Sequence, residues 1–126
     1  MFEVAVCRDF VAQHYLIGGD WGDENTPHSH HFKIEVKLTG EALDQHEYLF
    51  DISILERSLD AITSRYRDKL LNDLPEFESK NPSVELFCKN IFNLVKPEFK
   101  PTEVNNVKVT LWEDEQAWAS YENNIH

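Results

Sequence analysis

The sequence has 126 residues, of which 41% are hydrophobic and 12% aromatic, and its 23 acidic against 12 basic side chains give a formal net charge of -11. This size and composition predict one domain over residues 1–126 and exclude a disordered chain. The negative charge repels phosphate backbones and argues against a nucleic-acid partner. No apolar run approaches the ~20 residues that cross a bilayer, so no membrane partner is predicted.

The first forty residues predict two strands joined by a loop. Apolar side chains alternate with polar ones over residues 2–16, and His14 falls on the apolar side. The intervening segment contains three glycines and one proline, which predict an irregular loop. Residues 28–40 show the clearest alternation, with His28 and His30 on the apolar side and charged residues on the other. This pattern is typical of a strand with one buried face and one wet face.

The rest of the sequence predicts two helices followed by two strands. Asp51 is a suitable N-cap for a helix that ends near residue 66 and carries an apolar stripe. A second helix begins near Asn81, with that residue or Ser83 as its cap, and ends before Lys96. Two further strands follow at residues 107–113 and 117–121.

The predicted element order is therefore β-β-α-α-β-β. Strands at both ends of the chain with two helices between them favour an α+β fold, in which two helices pack on one face of a four-stranded antiparallel sheet. Cys7 and Cys88 are too few for a disulfide framework, and charged residues appear too early for a signal peptide. We therefore expect a cytoplasmic location.

Three histidines on apolar strand faces indicate a metal site. His28 and His30 are two residues apart in one strand, so both rings project to the same side, roughly 6–7 Å apart at their bases. His14 ends the apolar face of the neighbouring strand and supplies a third imidazole. Three imidazoles can hold one Zn²⁺ and leave a tetrahedral position open for water or substrate. The alternative interpretation is three hydrogen-bonded core histidines. The remaining histidines are predicted to lie on the surface: His31, His46 and His126.

Glu113 is a second unusual residue. It continues the apolar alternation of the third strand, which places a carboxylate at the end of the buried face. Burying an unpaired charge is costly, so a partner is implied. The alternative interpretation is that the strand ends one residue earlier and that Glu113 begins an acidic turn with Asp114 and Glu115.

Six short motifs follow one another along nearly the whole chain: Phe10–His14, His28–Phe32, Leu49–Ile52, Leu71–Asp73, Pro82–Glu85, and Val109–Glu113 with Tyr121. In this order they resemble the motifs of the 6-pyruvoyltetrahydropterin and 6-carboxytetrahydropterin synthase family. The first is similar to F-x-A-x-H and the second to H-G-H-x-Y with serine for glycine. The others resemble V-x-D-F, L-N-D, P-T-x-E and the motif of the last strand pair.

The resemblance implies a tunnelling fold (T-fold), in which the sheets of three subunits close into a barrel and two trimers stack into a homohexamer. It implies Zn²⁺ on the three histidines and a substrate, dihydroneopterin triphosphate, whose side chain the zinc polarises. It also implies a partner for Glu113, because the family's glutamate at this position binds N–H groups of the pterin with both oxygens. Glu85 is implied as a further pterin contact.

Two positions depart from the family pattern. The resemblance places the family's catalytic cysteine four residues before the first histidine of H-x-H, where this sequence has Glu24. It places an Asp-His pair before L-N-D, where this sequence has Arg67 and Asp68. Glu24 and Asp68 are therefore the candidate acid/base residues. Neither Cys7, on the opposite strand face from His14, nor Cys88 can replace the cysteine.

Three functions remain open at this stage. The chain is a lyase of the synthase type with altered acid/base groups, or an enzyme that cleaves the side chain to 6-hydroxymethyldihydropterin, as some family variants with glutamate do. The third possibility is a non-catalytic protein that binds a pterin or a metal. For Glu24 the alternative interpretation is a residue of a solvated acidic loop.

Overall fold

A computed structural model describes residues 1–100 and 102–125. It contains four strands and two α-helices in the order β-β-α-α-β-β, as predicted. Short 3₁₀ turns lie at Gly22–Asn25, Leu71–Asp73, Pro75–Phe77 and Lys96–Phe99. The main elements are β1 (Phe2–His14), β2 (His28–Gly40), α1 (Ile52–Tyr66), α2 (Val84–Val95), β3 (Asn106–Trp112) and β4 (Trp118–Asn124).

The four strands form one antiparallel sheet in the order β1-β2-β3-β4. The hairpin of β1 and β2 dominates the sheet, because all 13 residues of each strand are paired, from Phe2 with Gly40 to His14 with His28. This register follows from the alternation of the sequence, since a slip of one residue would turn every apolar side chain to the wet face. The predicted sheet is therefore confirmed in its strand count and direction.

Both helices begin at the caps that their sequences provide. The side chain of Asp51 accepts a hydrogen bond from the Ser53 amide at 2.9 Å, and that of Ser83 accepts one from the Leu86 amide at 3.1 Å. Each bond satisfies a backbone N–H group that the first helical turn leaves without a partner. Neither helix, within the described residues, has the length and apolarity needed to cross a bilayer.

The core lies between the helices and one face of the sheet. The even positions of β2 from Phe32 to Leu38 are fully buried, as are Leu55 and Leu59 of α1 and Cys88 and Ile91 of α2. Ile52 is an exception to the predicted stripe of α1, because it stands at the first helical position and is 48% exposed. The opposite face of the sheet carries the polar side chains of the alternation, so one face is covered and the other is open.

Predicted strand ends differ from the structure by a few residues. The first strand ends at His14 instead of residue 16, because the amide of Tyr15 turns away to the side chain of Asn72 at 3.0 Å. The fourth strand runs from Trp118 to Asn124 instead of 117–121, because its pairing with β3 continues to Asn106. These differences leave the positions of the histidines unchanged.

Candidate metal and substrate site

Three histidine rings meet at one end of the β1–β2 hairpin. His14 lies directly opposite His28, and His30 lies opposite Ala12, one pleat further along the same face. The ring centroids are 4.6 Å apart for His14 and His28, 5.0 Å for His14 and His30, and 4.8 Å for His28 and His30. The pairing register alone thus gathers the three imidazoles into a nearly equilateral triangle.

Hydrogen bonds to backbone carbonyls orient two of these rings. Nδ1 of His14 lies 3.0 Å from the Pro82 carbonyl oxygen, and Nδ1 of His28 lies 2.8 Å from that of Thr26. A carbonyl oxygen only accepts, so each Nδ1 carries the proton and donates it. The lone pair of Nε2 is then available on both rings. This arrangement, in which one ring nitrogen donates to the protein and the other faces outward, is typical of histidines that bind metal ions.

The Nε2 atoms of the three histidines are the unusual feature of the site. Nε2 of His14, His28 and His30 is buried in each case and has no hydrogen-bond partner among the described residues. Leaving a buried polar atom without a partner costs about 1–3 kcal/mol, so three at one point are a strong indication of a missing partner. Three imidazole nitrogens that face one another are a donor set suited to Zn²⁺. The residues present therefore fit a metal ion.

The protonation of His14 agrees with this interpretation. Burial lowers the pKa of His14 below its ordinary value, and the neighbouring imidazoles of His28 and His30 lower it further, whereas the bond to Pro82 acts in the opposite direction. The side chain is only 2% exposed. A neutral imidazole at neutral pH is the form that binds a metal ion.

A carboxylate joins the three imidazoles. Oε2 of Glu24 lies 2.8 Å from Nε2 of His28 but without the alignment of a hydrogen bond. One ligand atom from each of Glu24, His14, His28 and His30 lies within 4.8 Å of the other three. The predicted loop before β2 is thus ordered into a 3₁₀ turn at Gly22–Asn25, which brings Glu24 to the site.

Glu113 approaches the histidines from the far end of β3. The strand itself ends at Trp112, one residue earlier than the alternation predicted, yet the Glu113 amide still donates to the Ala117 carbonyl at 2.9 Å. Its Oε1 lies 3.0 Å from Nε2 of His30, also without the alignment of a hydrogen bond, and its side chain is 27% exposed. Glu113 also lines a cavity of about 290 Å³ together with Glu85, which lies in the first turn of α2.

Asp68, the other candidate acid/base residue, lies outside the histidine cluster. Its backbone has a left-handed conformation with φ 60°, and its amide donates to the Val11 carbonyl at 2.7 Å along the outer edge of β1. The side chain is exposed and is not a member of the His/Glu cluster within the described residues. The structure therefore brings Glu24, but not Asp68, to the three histidines.

His31, His46 and the two cysteines lie where the sequence analysis placed them. His31 is exposed on the open face, 3.4 Å from the carboxylate of Asp9, and His46 is exposed in the loop before α1. His126 lies outside the described residues. Cys7 is exposed on the opposite face from His14, whereas Cys88 is buried in α2.

Two positioning contacts at the site were not foreseen from the sequence. Asn72 holds the chain just after His14 by accepting from the Tyr15 amide at 3.0 Å and donating to the Tyr15 carbonyl at 2.9 Å. The Pro82 carbonyl fixes the His14 ring. Asn72 and Pro82 both belong to motifs that the sequence shares with the family, and these motifs could have indicated a role at the site. The periodicity of the sequence alone assigns them no role.

The fold and the site together define the class: a tunnelling-fold protein with a His/Glu cluster that can hold a metal ion. A family model of 6-pyruvoyl tetrahydropterin synthase matches residues 3–124. The chain belongs to this family of pterin enzymes, and the family predicted from the sequence motifs is confirmed.

Solved structures show the same fold. The 6-pyruvoyl tetrahydropterin synthase of Caenorhabditis elegans has a TM-score of 0.83 at 21% identity, over 97% of this chain and 95% of that one. A variant of the Plasmodium vivax enzyme, in which a catalytic glutamate is replaced by cysteine, has a TM-score of 0.79 at 19% identity over 98% of each chain. A putative dihydroneopterin aldolase of Vibrio cholerae has a TM-score of 0.55 at 12% identity over 98% of each chain. The predicted tunnelling fold is therefore confirmed.

Proposed function

We propose that this chain is a zinc-dependent enzyme that acts on the side chain of 7,8-dihydroneopterin triphosphate, as a lyase of the tetrahydropterin synthase type. The observation that carries the proposal is the triangle of His14, His28 and His30, whose three buried Nε2 atoms lack hydrogen-bond partners among the described residues. The membership of the chain in a pterin-enzyme family supports the substrate class.

The three histidines would hold Zn²⁺ through Nε2. Imidazole nitrogens suit this ion, and three of them leave room in a tetrahedral site for one oxygen ligand. In such a site zinc would polarise a hydroxyl or carbonyl oxygen of the substrate. Protons on the carbon atoms near that oxygen are then easier to remove. The protein supplies the orientation, because the bond from His14 to Pro82 and that from His28 to Thr26 fix both rings.

Glu113 and Glu85 would hold the pterin ring. A carboxylate can accept two parallel N–H bonds from the 2-amino and ring N–H groups, and charge-assisted bonds of this kind are about twice as strong as neutral ones. Glu113 lies beside His30 and shares a cavity with Glu85. A pterin bound there would place its side chain toward the histidines.

Glu24 is the proposed general base. Its carboxylate lies at the histidine cluster, where it can reach a proton on the substrate side chain, as a base must. Asp68 is the second candidate and lies on the outer edge of β1. The variants of the Plasmodium vivax enzyme in which a catalytic glutamate is replaced support a glutamate in this role.

A second candidate function is cleavage of the side chain to 6-hydroxymethyldihydropterin. The observation that favours it is Glu24 itself, which supplies a carboxylate where the family resemblance places a thiol. The two bases differ in ordinary pKa by about four units, so they remove protons from different positions with different ease. A change of base is therefore a reason to expect a change of product.

Product analysis tests both candidates. Zinc-loaded protein is incubated with dihydroneopterin triphosphate, and the pterin products are identified by chromatography and mass spectrometry. A 6-pyruvoyl or 6-carboxy product supports the synthase reaction, and 6-hydroxymethyldihydropterin supports cleavage. At saturating zinc, Glu24→Gln should lower turnover by a factor of about 100 or more, as expected for loss of a general base.

The control for this experiment is Asp23→Asn, which removes the same charge from the neighbouring exposed residue. Turnover should remain close to that of the wild type. Full activity in Glu24→Gln would move the base elsewhere, with Asp68→Asn as the next variant. Tight pterin binding without any product would leave only the non-catalytic function.

We also propose that the chain assembles as a homohexamer of two trimers. The sheet has two edges, and the hydrogen-bonding groups of an exposed edge are available for pairing with another chain. Within residues 1–100 and 102–125, residues 68–70 cover β1 near Val11 and Gln13, and the rest of that edge and the edge of β4 have no neighbouring strand. Light scattering should give six times the mass of 14.8 kDa per chain. A monomer at micromolar concentration would contradict the assembly.

A further inference from the structure

The two carboxylates near the histidines stand in different relations to them. Each carboxylate lies close to one imidazole, Oε2 of Glu24 at 2.8 Å from His28 and Oε1 of Glu113 at 3.0 Å from His30. Glu24 also contributes an atom that lies within 4.8 Å of a ring nitrogen of each of the three histidines. Among the described residues, Glu113 does not belong to this group of mutually close ligand atoms. Of the two carboxylates, Glu24 is therefore the one that can share an ion with all three imidazoles.

The contact between Glu24 and His28 is not that of a simple ion pair. The atoms Oε2 and Nε2 are 2.8 Å apart, yet the ring nitrogen has no aligned hydrogen bond. The proton of His28 is on Nδ1, where the Thr26 carbonyl accepts it. Oε2 of Glu24 therefore lies next to a ring nitrogen of the group whose ligand atoms are all within 4.8 Å of one another. Three imidazoles and one carboxylate complete a tetrahedral donor set for a cation.

Hydrogen bonds to the backbone fix the position of Glu24. The carbonyl of Glu24 accepts from the Leu16 amide at 2.8 Å, and Asn25 donates to the carbonyls of Leu16 and Gly19 at 3.0 Å each. Glu24 and His28 are four residues apart, and Thr26 between them orients the His28 ring. The same short segment therefore fixes both side chains.

The Glu24 carboxylate is more exposed to solvent than the three imidazoles. The Glu24 side chain is 47% exposed, whereas His14 is 2% exposed and His28 and His30 are 22% and 17% exposed at their side chains. Glu24 is therefore the member of the cluster that is most accessible to solvent. An incoming ligand would meet Glu24 first and could exchange with it without moving a histidine.

We propose that Glu24 is the fourth ligand of the metal ion in the substrate-free protein and that it leaves the ion when an oxygen of the substrate binds. The exchange keeps the number of ligands constant, since one oxygen replaces another. It also places a free carboxylate next to the substrate as binding occurs. The proposal that Glu24 is a ligand in the substrate-free protein rests on the histidine cluster alone. The identity of the oxygen that displaces it rests on the proposed pterin function.

Metal affinity tests the resting state without substrate or turnover. Zinc affinity is measured by competition with a chromogenic chelator for the wild type, Glu24→Ala, Glu113→Gln and Asp23→Asn. Loss of a ligand should weaken zinc binding by about tenfold or more in Glu24→Ala, a factor comparable to those for altered metal-site partners. Asp23→Asn removes the same charge from the same turn and should bind zinc as the wild type does. Glu113→Gln alters a carboxylate that contacts His30, so it should weaken zinc binding less than Glu24→Ala does.

The visible spectrum of the Co²⁺-substituted protein gives a second readout, because its bands report the ligand set. Glu24→Ala should change the spectrum, and Asp23→Asn should not. Wild-type affinity and spectrum in Glu24→Ala would overturn the proposal, and so would an equal loss in Glu113→Gln. Circular dichroism of each variant shows whether it is folded, and a variant that unfolds is replaced by Glu24→Gln.

Displacement is tested by adding dihydroneopterin triphosphate to the Co²⁺ protein. The wild-type spectrum should shift, and Glu24→Ala should shift less, because no carboxylate is exchanged. A wild-type spectrum that changes as little as that of Glu24→Ala would overturn displacement. Failure of the pterin function would appear instead as absent products with the zinc-affinity difference intact. Failure of the ligand proposal would appear as equal zinc affinities with products still formed.

Discussion

The two regions that meet at the candidate site are built in different ways. The histidines stand on a hairpin of 13 paired residues, over a layer of buried aromatic rings. Glu24 stands on a 3₁₀ turn of four residues, which side chain to backbone hydrogen bonds hold in place. The ladder fixes the imidazoles through many cooperative contacts, whereas a few local bonds fix the carboxylate.

This difference matches the chemistry that each region is proposed to perform. Metal ligands must keep their geometry through every turnover, and side chains on paired strands do so better than side chains on loops. A group that exchanges a ligand or moves a proton must change its contacts, which a partly exposed turn permits at small cost. Perturbing the hairpin should therefore remove the metal ion or unfold the protein, and perturbing the turn should change reactivity.

The largest effect is expected from a histidine of the hairpin. His28→Ala removes one of three imidazoles and should abolish zinc retention, measured as metal content after dialysis against a weak chelator. His31→Ala is the matched control, because His31 also lies in β2 but is exposed on the open face of the sheet. It should retain about one zinc per chain. Equal loss from both variants would mean that the faces of β2 are wrongly assigned.

The aromatic layer beneath the histidines should matter next. Phe32 is fully buried, with its ring centroid 6.0 Å from that of His14 and 5.6 Å from that of His30. Phe32→Ala leaves a cavity under the site and should lower the free energy of unfolding by about 3–5 kcal/mol, measured by urea denaturation. Phe2→Ala, at a residue that is 45% exposed, should cost much less. Similar losses in the two variants would contradict the role of the layer.

The hairpin was predictable because its information is periodic. Alternation over residues 28–40 assigns every side chain to a face, and the antiparallel register then brings His14 opposite His28. The caps at Asp51 and Ser83 were likewise predictable, since a cap depends on local sequence. The sheet and the grouping of the three histidines therefore followed from the alternation of the strands.

The turn was less predictable because no period applies to it. Glu24 was a candidate base on the family motif alone, and its closeness to all three imidazoles depends on the hydrogen bonds of Asn25 and on Gly22, which has a φ of 64°. Asp68 was a candidate for the same reason, and its left-handed backbone turns it to the edge of β1. Sequence spacing does not fix side-chain direction in irregular segments.

The smallest change in stability, and the sharpest test of the comparison, is expected from Asn25→Ala. The Asn25 side chain accepts from the Trp21 amide at 2.7 Å and donates to the carbonyls of Leu16 and Gly19. Its loss should lower the free energy of unfolding by only about 1 kcal/mol, because the turn is exposed and carries no core residue. Zinc content at saturating metal should be unchanged, yet turnover should fall, since Glu24 is no longer held over the histidines. Asn25→Asp keeps the acceptor for Trp21 but places a carboxylate oxygen against the carbonyl oxygens of Leu16 and Gly19, so its turnover should fall at least as far as that of Asn25→Ala. Thermal unfolding, metal analysis and product formation measure the three effects on the same samples. Loss of zinc in parallel with turnover would show that the turn and the hairpin form one rigid unit, contrary to the distinction drawn between them.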